Sequence, residues 1–509
     1  MKHFLLVALL LAGSSGLIFG QALSIPWSGY AHDPQHTATS AGPAQALNAI
    51  HWQTPVDQNP PSGGDLYIHY GSPVVTAANT VILPVRTASG GYLLNAFNGA
   101  SGSSPTPLYT LTTDYTPPSY PAHSWTPPYG PALSMGTRLY YAGAGGTLYY
   151  RDLPNAAKGP NGLAGASGQV AFYGINNYTA NPSGYAGVQI STPLTTDHAG
   201  NVFFGFTVTG TNPKGLVSGI ARVSLTGTGT WASATSLSGD SSANYIALNC
   251  APALSNDQRT VYIATSNASE YGVGYLTAAN ATTLASTGKA QLFDPRGGLA
   301  YLLSDSSATP MVGPDGDVYY GVLESPCCTS HNDRGWLLHF NSTLTQLKTP
   351  GSFGWDDTAS VVPSSAVPGY TGSSSYLILT KYNNYVGIGS GNGANRVGIL
   401  DPGATMLDEY GTSVTVLNEV ITVLGVTPVG SLPSVNEWCI NTAAIDPFTK
   451  SAIINSEDGV VYRWDFTTNS LLQRLRLTSG RGEAYTPTVI GPDGTVYAIN
   501  DAILFAVGN

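Results

Sequence analysis

Five prolines constrain this chain more than anything else in it. Pro73, Pro131, Pro193, Pro252 and Pro310 are separated by 58, 62, 59 and 58 residues, and each opens a short apolar run. A period that regular means one supersecondary unit copied along the chain. The best-formed copy runs from Ser307 to Gly321, with Met311 and Val312, a Pro314, Asp315, Gly316 turn, then Val318, Tyr319 and Tyr320. Pro presets φ, Asp bonds its own backbone and Gly accepts positive φ, so the stretch reads as a hairpin. It recurs around Pro492, Asp493 and Gly494. Both Pro-Asp-Gly turns lack the ligand series of a calcium loop and read as turns alone.

Each period holds three or four short strands and no sustained helical spacing. Units without the landmark proline begin near Ala359 and Asn441, and the last begins at Thr486 and ends at Val507 with three strands. A single four-stranded sheet cannot bury both its faces, so the units must stack, and radial stacking gives a β-propeller. The expected fold is all-β with eight blades, or seven if the irregular stretch from Asp356 to Leu432 holds one unit fewer. The missing fourth strand of the last unit is expected from the N-terminal region near Trp52, closing the ring. Only 9% of residues are charged, while 42% are apolar and 30 are Tyr, which suits a turn-dense β chain with a packed core.

Residues 1–22 carry a basic start, an apolar run and small residues, the pattern of a secretory signal peptide. The expectation is an exported protein, secreted or periplasmic, whose residues 23–509 form one propeller domain acting as a monomer. No later stretch is long and apolar enough to span a bilayer. A net charge of −10 with no Lys/Arg stripe argues against nucleic acid as a partner. No phosphate loop, metalloprotease helix or nucleophile elbow occurs.

The units resemble the PQQ-like repeats of quinoprotein alcohol dehydrogenases and of the outer-membrane assembly lipoprotein BamB. Trp27, the run Asp33 to His36, the repeated Ser/Thr-Pro-apolar openings and the closing run from Gly491 to Ala506 carry the likeness, over nearly the whole chain after the leader. The resemblance implies a propeller in either an enzyme using PQQ and calcium or a non-catalytic binding protein. The family's enzymes place an adjacent cysteine pair and an Asn-Arg-Gly run near the quinone, and Cys327, Cys328, Asn332, Arg334 and Gly335 are similar. Here Asp333 intervenes, and the motif follows the second strand of its unit instead of preceding the innermost one. No calcium-binding Glu-Asn-Asp set falls on matching positions. The pair therefore reads as a loop staple, a vicinal disulfide or two thiols.

In a propeller, loops leading into the innermost strands form one rim, where concave sites gather. Those segments contain His69, His123, Trp125, Asn249, Cys250, Trp355, Asp356, Asp357, Glu437, Trp438, Cys439, Asn441, Glu483 and Tyr485. The tryptophans Trp125, Trp355 and Trp438 offer stacking faces for a sugar or quinone, or else pack between blades. Asp356, Asp357, Glu437 and Glu483 suit acid–base work, cation ligation or loop hydrogen bonding. His69 and His123 lack a spaced partner, so no metal set is assigned. Cys250 and Cys439 hold similar places in their units, which raises a disulfide across the channel. The expected function is binding of a carbohydrate, peptide or envelope partner at this rim without catalysis. The alternatives are a PQQ- and calcium-dependent oxidoreductase or a polysaccharide-cleaving propeller.

Overall fold

The repeat closes as its residues require. Val312 pairs with Val318 across the Pro-Asp-Gly turn, where Gly316 takes φ +90° and the Asp317 amide donates to Asp315 Oδ1 at 3.0 Å. The computed structural model describes residues 25–61, 70–100, 105–118, 130–134, 137–158, 163–267, 269–303, 306, 308–326, 330–480, 482 and 484–509. Residues 1–22, His69, His123, Trp125, Cys327, Cys328 and Glu483 lie outside that set.

The described strands form an eight-bladed β-propeller of antiparallel sheets, with a two-stranded ribbon beside them. In the first blade Val74–Val75, Thr80–Arg86, Tyr92–Asn98 and Tyr109–Thr112 run from the axis outward. The eighth blade orders Val489–Ile490, Val496–Asn500 and Ile503–Gly508, and Ala49–Pro55 adds outside Ile503–Gly508, with Trp52 opposite Ala506. The apolar clusters lie between neighbouring sheets, for example Trp52, Phe97 and Tyr497 between the eighth and first blades. Among the described residues no helix is long and apolar enough to cross a membrane.

Antiparallel order fixes two faces. Connections from one blade to the next, and from second to third strand, emerge at one face, the rim. Connections from first to second strand emerge at the opposite, turn face.

Residues 27–45 cross the channel at its turn end as an arm. Trp27 exchanges hydrogen bonds with Val75 at 2.9 and 3.0 Å. Arm carbonyls of Ser28, Pro34, Gln35, Thr37 and Ala38 accept from the amides of Leu133, Leu254, Val312, Val361 and Ile445 at 2.7–2.9 Å. Those amides lie at like positions on the innermost strands of five further blades, and the Gln45 amide donates to Gly494 O of the eighth blade at 2.8 Å. His36 is buried with Nδ1 2.8 Å from Pro310 O, and burial holds its pKa down at about 4, so the ring is neutral and donates there.

The fifth blade is regular only in Met311–Val312, Val318–Val322 and Trp336–Phe340; beyond them lie isolated bridges at Leu347 and Gly351. The long hairpin of the sixth blade, Arg396–Leu407 with Thr415–Leu424, covers this weak edge. It bulges between Asp401 and Thr405, donates from the Leu417 amide to Pro350 O at 2.9 Å, and buries Val416 among residues of the fourth and fifth blades.

Trp52→Ala empties the contact with Phe97 (5.4 Å) and Tyr497 (5.9 Å) where the two ends of the chain meet. The expected cost is about 3–5 kcal/mol, read as a fall in the midpoint of denaturant unfolding; a loss below about 1 kcal/mol would show that this seam carries little of the stability.

Candidate functional site

Five segments meet at one cavity of about 100 Å³, lined by Leu303, Trp355, Asp356, Lys381, Tyr385, Glu437, Cys439 and Tyr485. Trp355, Asp356, Glu437, Cys439 and Tyr485 come from loops entering innermost strands. Lys381 lies at the end of the second strand of the sixth blade, Tyr376–Tyr382, and Tyr385 on the connection that leads from it to the third. Glu457, on the matching connection of the seventh blade, places a carboxylate oxygen within 4.8 Å of those of Glu437 and the Cys439 thiol. Asp333, on that of the fifth blade, lies close enough to feel the charge of Glu437.

Each side chain has a physical reason for its state. Lys381 is 2% exposed, and its ammonium acts on the Asp357 carboxyl and stands 5.8 Å from the ring of Phe353 and 5.9 Å from that of Tyr485. The Trp355 indole N–H is also buried without a partner, while its ring meets Tyr385 edge-on at 5.6 Å. Asp356 accepts from Ser306 Oγ at 3.3 Å. Asp357 turns away from the cavity and accepts from Thr380 Oγ1. Burial pushes its carboxyl up to about 7 against the pull of Lys381 and Thr380. Burial and then the charge of Glu437 push Asp333 up to about 6. The Cys439 thiol donates to Glu437 Oε2 at 3.5 Å, and burial, then the charges of Glu457 and Glu437, push its pKa well above the usual thiol range.

Several sequence expectations place differently. Trp438 is not a stacking face at the mouth. It is 1% exposed, donates from Nε1 to Asn395 O at 3.2 Å and meets Tyr462 edge-on at 5.6 Å, because its apolar area is better buried between blades. Cys250 and Cys439 are both free thiols, so no disulfide crosses the channel; Cys250 accepts from the Ala264 amide at 3.4 Å inside another blade. Asn249 is buried and donates to Ser306 O at 3.3 Å without lining the cavity. Asn441 lies beneath the cavity, accepting from Tyr30 of the arm and from Thr442 Oγ1 at 2.6 Å.

The loop His331–Asp333 holds three successive residues at φ +50°, +50° and +59°. Contact of His331 Nε2 with Asp408 (3.2 Å), stacking of its ring on Trp336 (3.9 Å) and Asn332 donating to Asn384 (2.8 Å) keep it there. Burial raises the Asp408 carboxyl, but hydrogen bonds from His331, Ser352 and Thr412 outweigh that and hold it well below the usual carboxylate range.

No protein-family profile matches the chain, and no curated protein matches it. Solved structures do. The quinohemoprotein alcohol dehydrogenase from Comamonas testosteroni aligns with TM-score 0.53 at 11% identity over 96% of this chain and 77% of that one. A europium-containing methanol dehydrogenase aligns with TM-score 0.51 at 10% identity over 93% and 89%. BamB from Moraxella catarrhalis gives TM-score 0.41 at 13% identity over 91% and 99%. The two dehydrogenases show that the chain has the propeller fold of the PQQ-like repeat proteins, and at these identities the likeness extends to fold alone.

The residues do not fit a quinone with calcium. A cavity of about 100 Å³ is too small for a tricyclic cofactor. The trio Glu437, Cys439 and Glu457 includes a thiol, a poor ligand for a hard cation, and the Lys381 ammonium shares its cavity. Arg334 is fully buried, its guanidinium 4.3 and 4.1 Å from the rings of Tyr382 and Tyr410 and its Nε donating to Ser352 O, away from the cavity lining.

Asp357 provides a pH signature. Unfolded, the carboxyl ionises near 3.8; folded, near 7, so the native state holds a proton that the unfolded chain has lost and stability falls as pH rises through that window. Thermal melts of Asp357→Asn should show a gain over the parent that grows between about pH 4 and pH 7 and then levels. A gap that does not vary with pH would contradict the assignment.

Proposed function

We propose that the chain is an exported propeller, residues 23–509 forming one unit after a leader, that binds the end of a neutral carbohydrate at the rim cavity without transforming it. The observation that carries this is the buried Trp355 indole N–H, without a partner among the described residues, bordering one cavity with the buried Lys381 ammonium and the carboxylates of Asp356 and Glu437. A buried donor without a partner is costly, so a ligand that supplies an acceptor relieves the site. Among the described residues carboxylates outnumber the ammonium here, which disfavours an anionic ligand. A sugar hydroxyl meets both demands, accepting from Lys381 or Trp355 while donating to Glu437 or Asp356. The Trp355 and Tyr385 rings add apolar area with a polar edge. Binding of one chain end suits a site of this size, and the monomeric ring acts as a rigid platform for it.

Cleavage of the bound glycan is a second reading, favoured by one observation: Asp333, raised to about 6, beside Glu437 sets two carboxyl groups with neighbouring environments at the same mouth.

Calorimetric titration with cellotriose, maltotriose and chitotriose tests both. Lys381→Met and Glu437→Gln should each weaken binding roughly ten- to a hundredfold, the range for a lost hydrogen bond to a charged group. Binding that survives both changes unaltered sinks the carbohydrate reading. Shortened products on prolonged incubation, lost in Asp333→Asn, would instead select cleavage.

A further inference from the structure

We propose that a second saccharide site lies on the opposite, turn face, in the cleft of about 680 Å³ between the fifth and sixth blades, and that it takes a short, uncharged oligosaccharide. The inference does not rest on the reading of the rim, with which the cleft shares no residue.

The cleft exists because the fifth blade has no regular fourth strand. The segment from Gln346 to Thr349 runs where that strand would lie, and the bulge of the sixth-blade hairpin at Pro402 and Gly403 forms the facing wall. Its size falls within the usual range for ligand pockets.

Its polar groups are held in place by buried partners. Asp317 is 7% exposed and is gripped by His339 Nε2 at 2.9 Å and by the Lys348 ammonium. His339 is fixed in turn by its contact with Thr349 O at 3.2 Å and by stacking on Tyr319 at 4.3 Å. On the facing wall, buried Tyr376 shares a hydrogen bond with Tyr319 at 2.8 Å and donates to Asp315 Oδ1 at 2.9 Å. The result is an exposed carboxylate edge on Asp315 and a half-exposed ammonium on Lys348, both pre-oriented, with Gln346 and Ser375 between them.

That lining selects the ligand. Lys348 is balanced by Asp317, which leaves only the single carboxylate of Asp315 and no excess positive charge for an anion, and few apolar side chains border the cleft, Leu347 and Pro402 among them, so an apolar peptide side chain finds scant cover. Neighbouring hydroxyls can donate to Asp315 and accept from Lys348 at once, the pattern that a sugar provides.

Calorimetry and hydrogen exchange with cellotriose, maltotriose and chitotriose test this on the full-length protein. At least one sugar should protect residues 345–349 and 374–376 from exchange, and Ser375→Trp, which fills the cleft from an exposed position, should abolish that protection. Asp315→Ala and Lys348→Met should each weaken this binding tenfold or more, while Glu437→Gln leaves it unchanged. If Lys348→Met does not fold, the exposed changes at Ser375 and Asp315 decide alone. Absence of protection with all three sugars, or protection that persists in Ser375→Trp, overturns the proposal. Loss in Glu437→Gln alone, with Ser375→Trp unaffected, assigns the binding to the rim and overturns it too.

Discussion

The inner edge of every innermost strand carries backbone groups that face the axis and have no strand to pair with. Buried and unpaired, each would cost roughly 1–3 kcal/mol. In this protein one arm answers for nearly the whole ring. Its carbonyls accept from Leu133, Leu254, Val312, Val361 and Ile445, its ends engage Val75 and Gly494, and the arm thereby touches seven of the eight blades. The geometry needed is unusual: Ala31, His32, His36 and Ala38 all take positive φ. Such residues persist only where their surroundings over-determine them, and here the hydrogen bonds to successive blades do so. Trp27 and the run from Asp33 to His36, which looked in the sequence like a family label, are the segment that performs this pairing.

The candidate site inherits its floor from that arrangement. Tyr30 rises from the arm to donate to Asn441, with Thr358 Oγ1 at 3.5 Å, and burial pushes its pKa far above the usual phenol range. A neutral, fixed hydroxyl thus ties the turn-side arm to the rim loop that carries Asp356, whose backbone carbonyl lies 3.5 Å from Asn441 Nδ2. The base of the cavity is therefore tied to the ring through the arm.

The fold was legible because its signal is repetitive: period, turn chemistry and apolar openings all agree, and the pairing of Ala49–Pro55 with Ile503–Gly508 involves strands that the pattern had already marked. The site was half legible. Following only the loops into innermost strands found Trp355, Asp356, Glu437 and Tyr485 but passed over Lys381, Tyr385, Glu457 and Asp333. The missing information was parity. In a four-stranded antiparallel unit the connection between second and third strands returns to the same face, so those residues were bound to reach the rim. What sequence does not hold is depth: Glu437 and Trp438 are neighbours, yet one lines the cavity and the other packs between blades. Only the packing of the sixth blade against the seventh decides which.

Parity also explains why a motif placed after the second strand of the fifth blade still bears on the site. Three consecutive left-handed residues are expensive for side-chain-bearing positions, of order 1–3 kcal/mol each, so the loop from His331 to Asp333 must be held from outside. Its holders come from the next blade. Asp408 and Tyr410, near the tip of the sixth-blade hairpin, engage His331 and Arg334, and Ser352 completes the cluster by donating to Asp408 at 2.6 Å. The hairpin that covers the weak edge of the fifth blade is therefore the same element that fixes the loop presenting Asp333 to Glu437. In this chain the arginine of the motif has become part of that fastening, caged between Tyr382 and Tyr410. The residue inserted before it is the one that meets the mouth.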